Sequence, residues 1–202
     1  MKLESARGYA EEAADLLVRY EKIPVEKVYD PVLGLIPPGT LKIVDIGAGT
    51  GQAAAWFAAR GDRVVAVEPV DELREGAQLL HPDPSIEWVD DGLPHLRSIE
   101  TRKSEFDVVW LSAVWFHLDT EERAAAMPVV ASLMKPSARL FIMLRHGPVP
   151  AGRRMFEVSA EETIELAACE GLKPVSNIHA QAVGDFNRRA GVTWTHLVLE
   201  KT

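Results

Sequence analysis

The sequence predicts an α/β fold in which helices cover both faces of a doubly wound, mostly parallel sheet. Three observations predict it. Short apolar runs rich in β-branched residues alternate with longer stretches that carry helix signals. The glycine-rich turn Gly47-Ala48-Gly49-Thr50-Gly51 joins the first apolar run to a helix pattern. Near the end, two strand-like runs follow one another with no helix pattern between them, which implies one reversed strand near the sheet edge.

The elements follow in order. From residue 3 to 20, Leu3, Ala6, Ala10, Ala13, Leu17 and Tyr20 fall near one helical face, as in a helix that serves as a lid. Pro24, Pro31, Pro37 and Pro38 then punctuate a connector. Residues 1–38 thus read as a helical cap and connector, and residues 39–202 as the α/β core, all one domain. Residues 41–46 and 63–67 are buried-strand patterns. Between them, 50–60 is Ala-rich and is followed by Gly61, a good residue just past a helix end. A helix over 70–80 stops before Pro82, and 106–111 is the next strand. Asp119 and Glu122 form a capping box that opens a helix toward Met134, with a kink or break expected at Pro128. A strand over 139–144 precedes a second capping box, Ser159 with Glu162, whose helix Gly171 closes. Residues 174–180 and 192–199 are the last two strands.

Composition narrows the function classes. The chain has 202 residues, 47% hydrophobic and 26% charged, enough to bury a core. A formal charge of −8 counts against broad nucleic-acid binding, which needs clustered Lys and Arg; only Arg153-Arg154 and Arg188-Arg189 are paired. The single cysteine, Cys169, allows no internal disulfide and no cysteine-rich zinc site, and its helix spacing beside Leu166 reads as core. No metal is expected. Neither a signal peptide nor a membrane span is visible, so a cytoplasmic protein is expected, a monomer or homodimer with no membrane partner.

The glycine turn carries the chemistry. A turn this tight, between strand and helix, needs residues without side chains so that a ligand can approach the backbone. The next strand ends in Val67-Glu68-Pro69, which puts an acid about 20 residues on, where it can accept from two ribose hydroxyls. Turn and acid together make an adenosine site at the carboxyl edge of the sheet. A dinucleotide fold wants a third glycine where this chain has Gln52. Asp45, just before the turn, would repel a pyrophosphate and attract a cationic amino acid.

These residues resemble a known family. Asp45-Ile46-Gly47-Ala48-Gly49-Thr50-Gly51 is similar to the first motif of the class I S-adenosylmethionine-dependent methyltransferases. Val65-Ala66-Val67-Glu68-Pro69 is similar to the family's second strand, Asp90-Asp91-Gly92-Leu93-Pro94 to its adenine-contacting segment, and 106–112 to its fourth strand. Leu133-Met134-Lys135-Pro136 before 139–144 is similar to the approach to strand five, although Ser137-Ala138 stands where the family has Gly-Gly. The resemblance implies a seven-stranded Rossmann-like sheet, S-adenosylmethionine as cofactor and methyl transfer to an acceptor. It implies that Glu68 binds the ribose, with Pro69 and Val70 on the adenine face. Asp90 or Asp91 then accepts from the adenine amino group beside Gly92 and Leu93. Gly47, Ala48, Gly49, Thr50 and Gly51, with Asp45, lie along the methionine portion, and Ser112, Ala113 and Val114 line the sulfonium side.

The acidic balance favours a small-molecule acceptor. Methyl transfer needs a base only when the acceptor must lose a proton. His117 and His146, past the fourth and fifth strands, are the candidates, each equally readable as a structural histidine. Arg145 can hold an anionic acceptor, and Trp110, Trp115 and Phe116 can wall its pocket, although aromatic residues there also suit a core. Tyr9 and Tyr20 can close over the cofactor. Two alternatives stay open: a relative that binds the cofactor without catalysis, and a nicotinamide-dependent oxidoreductase.

Overall fold

A computed structural model describes residue 6 and residues 8–202. Lys42–Ile46 (β1), Arg63–Val67 (β2), Ile86–Val89 (β3), Phe106–Leu111 (β4) and Met134–His146 (β5) run parallel. Leu172–Gln181 (β6) and Thr193–Lys201 (β7) complete one sheet in the order β3-β2-β1-β4-β5-β7-β6. Only β7 is reversed, antiparallel to both β5 and β6.

The central strands read as unbroken apolar runs because both their faces are buried. Val44, Ile46, Val109, Leu111, Leu140 and Ile142 point to one core. Ile43, Val108, Trp110, Phe141 and Met143 point to the other. Helices Thr120–Leu133 and Ala160–Cys169 cover the first face through Met127, Val130 and Ala167. Helices Val25–Leu33 (α2) and Gln52–Ala59 (α3) cover the second through Tyr29, Val32, Ala54 and Phe57. Strand order reverses between β1 and β4, and folds of this class open a crevice at that point, beyond the carboxyl ends of the strands.

Several expectations change. The N-terminal helix is short, Ala13–Arg19 (α1), with a 3-10 turn at Tyr20–Lys22. Gly8, at φ 82, is left-handed and cannot continue a helix through that stretch; Leu3 lies outside the described residues. The proline-punctuated connector holds α2, which starts after Pro24 and contains Pro31. The helix of residues 120–133 (numbered α5, after Asp71–Leu80 as α4) runs through Pro128 without a break. Its capping box is complete, with Asp119 and Glu122 exchanging bonds of 2.9 Å. The second box is half made. Ser159 Oγ accepts from the Glu162 N–H at 3.0 Å, but the Glu162 carboxylate holds Arg123 instead, bridging α5 to Ala160–Cys169 (α6). Cys169 is exposed, not core: α6 buries Ala160, Thr163 and Ala167, and Cys169 falls off that stripe. A five-residue helix, Asp185–Arg189 (α7), stands between the last two strands. Ser137, at φ 64, adopts the left-handed turn that the family leaves to glycine.

Candidate functional site

The glycine turn closes by backbone bonds onto the end of β2. The N–H groups of Gly47 and Ala48 donate to the Val67 carbonyl at 2.8 and 3.0 Å. Gly47 must be glycine: its φ is 73, and a Cβ there would lie 2.3 Å from Val114 Cγ2. Gly49, at φ 58, differs, because a Cβ there would meet nothing nearer than the Gly47 carbonyl at 4.0 Å. Its backbone therefore faces open space. Glu68 fastens turn and strand together, accepting from the Gly49 N–H at 2.7 Å and from the Val70 N–H at 2.9 Å.

A cavity of about 1140 Å3 follows the carboxyl edge of the sheet. Asp45, Gly47, Ala48, Gly49 and Thr50 line it from β1 and its turn, and Glu68, Pro69 and Val70 from the end of β2. Gly92 and Leu93 line it past β3, and Ser112, Ala113 and Val114 past β4. Arg145, His117, Tyr9 and Tyr20 complete the expected set.

Six expected residues are placed elsewhere. Gly51 lies against the Trp88 ring at the start of α3. Asp90 is exposed and pairs with Arg74 at 3.4 Å. Asp91 turns back to accept from the N–H groups of Gly92 and Ser98. The adenine-contact segment therefore offers the cavity its backbone and Leu93, not a carboxylate. His146 stands on the face of β5 opposite Arg145, as alternation along a strand requires, and its Nε2 meets Thr195 Oγ1 at 2.8 Å. Trp115 has no exposed surface and belongs to the core, as does Trp110.

The two acids of the near end are unusual. Asp45 is 1% exposed, and among the described residues its Oδ2 has no hydrogen-bond partner. Burial, reinforced by the Glu68 charge, pushes its carboxyl up to about 7. Burial also raises Glu68 to about 7, against the bonds from the Val70 and Gly49 N–H groups and the Arg74 charge. Between its ordinary 3.8 and about 7, folded Asp45 holds more proton than the unfolded chain does. Its contribution to stability is thus present at low pH and is lost as pH rises through that window. Asp45→Asn is expected to melt above the wild type near pH ~8, with the gain clearly smaller near pH ~5, inside the window, and gone only below the ordinary value of 3.8. Thermal melts at the two pH values check this; a gain of equal size at both would contradict it.

At the far end, the buried His117 ring is held twice. Its Nδ1 lies 2.7 Å from the Arg154 carbonyl, which only accepts, so Nδ1 carries the proton. Nε2 then accepts from the Tyr9 hydroxyl at 2.9 Å. Burial pushes the ring down to about 4, and the nearby charges of Arg153, Arg145 and Arg154 add to the effect. Neutral His117 is therefore committed to Tyr9. Burial also pushes the Tyr9 hydroxyl up.

Sequence reasoning missed the links that draw residues 9–29 over the cavity. Thr50 Oγ1 donates to Glu21 at 2.7 Å, and Gln52 Nε2 donates to the Ile23 carbonyl at 2.8 Å. The hydroxyls of Tyr29 and Ser112 meet at 2.6 Å. It also missed Met155, Trp194 and Arg153 as lining residues. These pairings join residues far apart in the chain, and single polar residues on loops carry no periodic signal.

Comparison with known proteins agrees with this geometry. Residues 44–142 match the family described as "Methyltransferase domain". An uncharacterized methyltransferase of Mycobacterium bovis is 29% identical over 106 residues, 52% of this chain and 40% of that protein. The chain thus spans about two fifths of the length of the curated relatives it matches. Two crystal structures share the fold at 18% identity. A TehB-like S-adenosylmethionine-dependent methyltransferase of Corynebacterium glutamicum matches with TM-score 0.69 over 95% of this chain and 99% of its own. The 1,6-didemethyltoxoflavin-N1-methyltransferase of Burkholderia thailandensis matches with TM-score 0.63 over 96% and 79%. Residues 44–142 thus match a methyltransferase domain, and the sheet that carries them has the fold of these two solved methyltransferases.

Proposed function

We propose that the chain binds S-adenosylmethionine and transfers its methyl group to a small-molecule acceptor. The observation that carries this reading is Asp45: a buried carboxylate with an unpartnered oxygen, lining the cavity beside a glycine turn that admits a ligand. An ammonium group supplies what that oxygen lacks. Glu68 suits the ribose hydroxyls, with Pro69, Val70 and Leu93 against the adenine. Ser112, Ala113 and Val114 border the reacting centre. When bound, the cofactor supplies an electrophilic methyl on a positively charged sulfur. The chain then has to align, enclose and exclude water, which suits a displacement needing little covalent help.

The cap of residues 1–38 supplies enclosure through Tyr9, Tyr20 and Tyr29. His117 is assigned the positioning of Tyr9 rather than general-base work, since its free nitrogen is engaged and its pKa is low. The acceptor class has outside support as well: the Burkholderia structure contains 1,6-didemethyltoxoflavin with S-adenosylhomocysteine.

Titration calorimetry tests the cofactor reading. S-adenosylhomocysteine, which keeps the ammonium, is expected to bind saturably near pH ~7 and to release protons as Asp45 becomes charged, so the measured heat changes with the buffer's ionisation enthalpy. NAD is expected to bind poorly, because its pyrophosphate would face Asp45. Tight NAD binding with no response to S-adenosylhomocysteine would overturn the reading.

A further inference from the structure

The cavity separates charge along its length. Its near end, over β1 and β2, holds the carboxylates of Asp45 and Glu68. Its far end, over β5 and β7, holds Arg145 and Arg153. Arg145 is half-buried, and among the described residues it has no acidic partner. Its guanidinium donates only to the carbonyls of Pro148, at 2.8 Å, and Gly147, at 3.4 Å. Burial pushes its pKa down, a sign that its charge is poorly compensated.

Arg153 is the second cation. Its side chain is 6% exposed and lies 3.6 Å above the Tyr9 ring. One terminal nitrogen pairs with Glu12 at 2.7 Å, while Nη1 is buried and has no partner among the described residues. The neighbouring Arg154 is neutralised by Asp119 and Glu122. Arg145, Arg153 and His117 line the same cavity, and the Tyr9 ring beneath Arg153 carries the hydroxyl that meets His117 at 2.9 Å. Phe116, Met155 and Trp194 line the same cavity and give it an apolar wall, with the two rings 6.0 Å apart.

A buried guanidinium nitrogen without a partner is costly, and it becomes favourable when an oxyanion reaches it. We propose that the acceptor is a small organic anion, its carboxylate or similar oxyanion held by Arg145 and Arg153 Nη1, and its apolar body held against Phe116, Met155 and Trp194. This rests on the methyltransferase reading, which leaves the far end of the cavity for the acceptor. An acidic chain of net charge −8 thereby keeps one uncompensated basic site for an anionic guest. The division also suits the pair of ligands, with a cation over the acids and an anion over the arginines.

The test uses two fluorescent probes with nearly the same apolar body. Anilinonaphthalene sulfonate carries the anion, and phenylnaphthylamine lacks it. Each is titrated into the full chain, alone and saturated with S-adenosylhomocysteine. The sulfonate is expected to bind saturably and with higher affinity than the amine. Arg145→Gln and Arg153→Gln are each expected to weaken the sulfonate by about tenfold and leave the amine unchanged. Because Arg153 also supports Tyr9, the more exposed Arg145→Gln is the decisive variant, read with its melting temperature. Absence of saturable sulfonate binding, equal affinity for both probes, or a sulfonate affinity untouched by Arg145→Gln would overturn the proposal. A chain that selects the sulfonate but ignores S-adenosylhomocysteine would overturn the cofactor reading and leave the anion site standing.

Discussion

Glu68→Ala is expected to weaken S-adenosylhomocysteine binding by at least about a hundredfold. Hydrogen bonds to a charged acceptor are worth about 1.5–3 kcal/mol each, and in the proposed binding mode two ribose hydroxyls depend on this carboxylate. The loss reaches further, because Glu68 also accepts from Gly49 and Val70 and so shapes the turn beneath the cofactor. Glu68→Gln keeps one carbonyl oxygen as acceptor and is expected to fall between the two. Calorimetric titration of the three proteins, with melting temperatures alongside, checks the order. An alanine variant that binds as tightly as the wild type would remove Glu68 from the site.

Gly47→Ala is expected to destabilise the chain by about 2–4 kcal/mol, from a left-handed backbone that alanine resists and from contact with Val114. For a chain of this length that lowers the melting temperature by roughly 5–15 °C. A new Cβ would lie 2.3 Å from Val114 Cγ2, so the turn or the segment after β4 must move. Both border the cavity, and cofactor affinity is expected to fall with stability. Adding Val114→Ala relieves the contact but not the backbone, so only part of the melting temperature returns. An unchanged melting temperature for Gly47→Ala would contradict the geometry of the turn.

Much of this was legible in local sequence, where a single physical requirement acts over a few residues. The glycine turn and Glu68 follow from a tight bend and a fixed strand length. The capping box of Asp119 and Glu122 follows from two backbone groups that need partners. Where the choice lay between two buried faces, the sequence is silent. Arg145 and His146 are adjacent at the end of a strand apolar on both sides, so no alternation tells which one meets the cavity. Trp115 and Phe116 share one 3-10 turn, where no periodic pattern tells that Trp115 enters only the core while Phe116 also lines the cavity. Asp90 and Asp91 matched a pattern, yet their carboxylates are spent on Arg74 and on backbone N–H groups. Cys169 was misplaced because the stripe of small residues on α6 is offset from it. The contacts that fold the cap over the turn, such as Thr50 with Glu21, depend on tertiary packing alone.

Transfer of a labelled methyl group tests the central claim most directly. The full chain is incubated with S-adenosylmethionine carrying a labelled methyl and with a fractionated metabolite extract, and Glu68→Ala serves as control. The account predicts label in a small molecule, formed by the wild type and lost in the variant, together with one S-adenosylhomocysteine for each methyl moved. A chain that binds the cofactor and labels nothing in any fraction would contradict it.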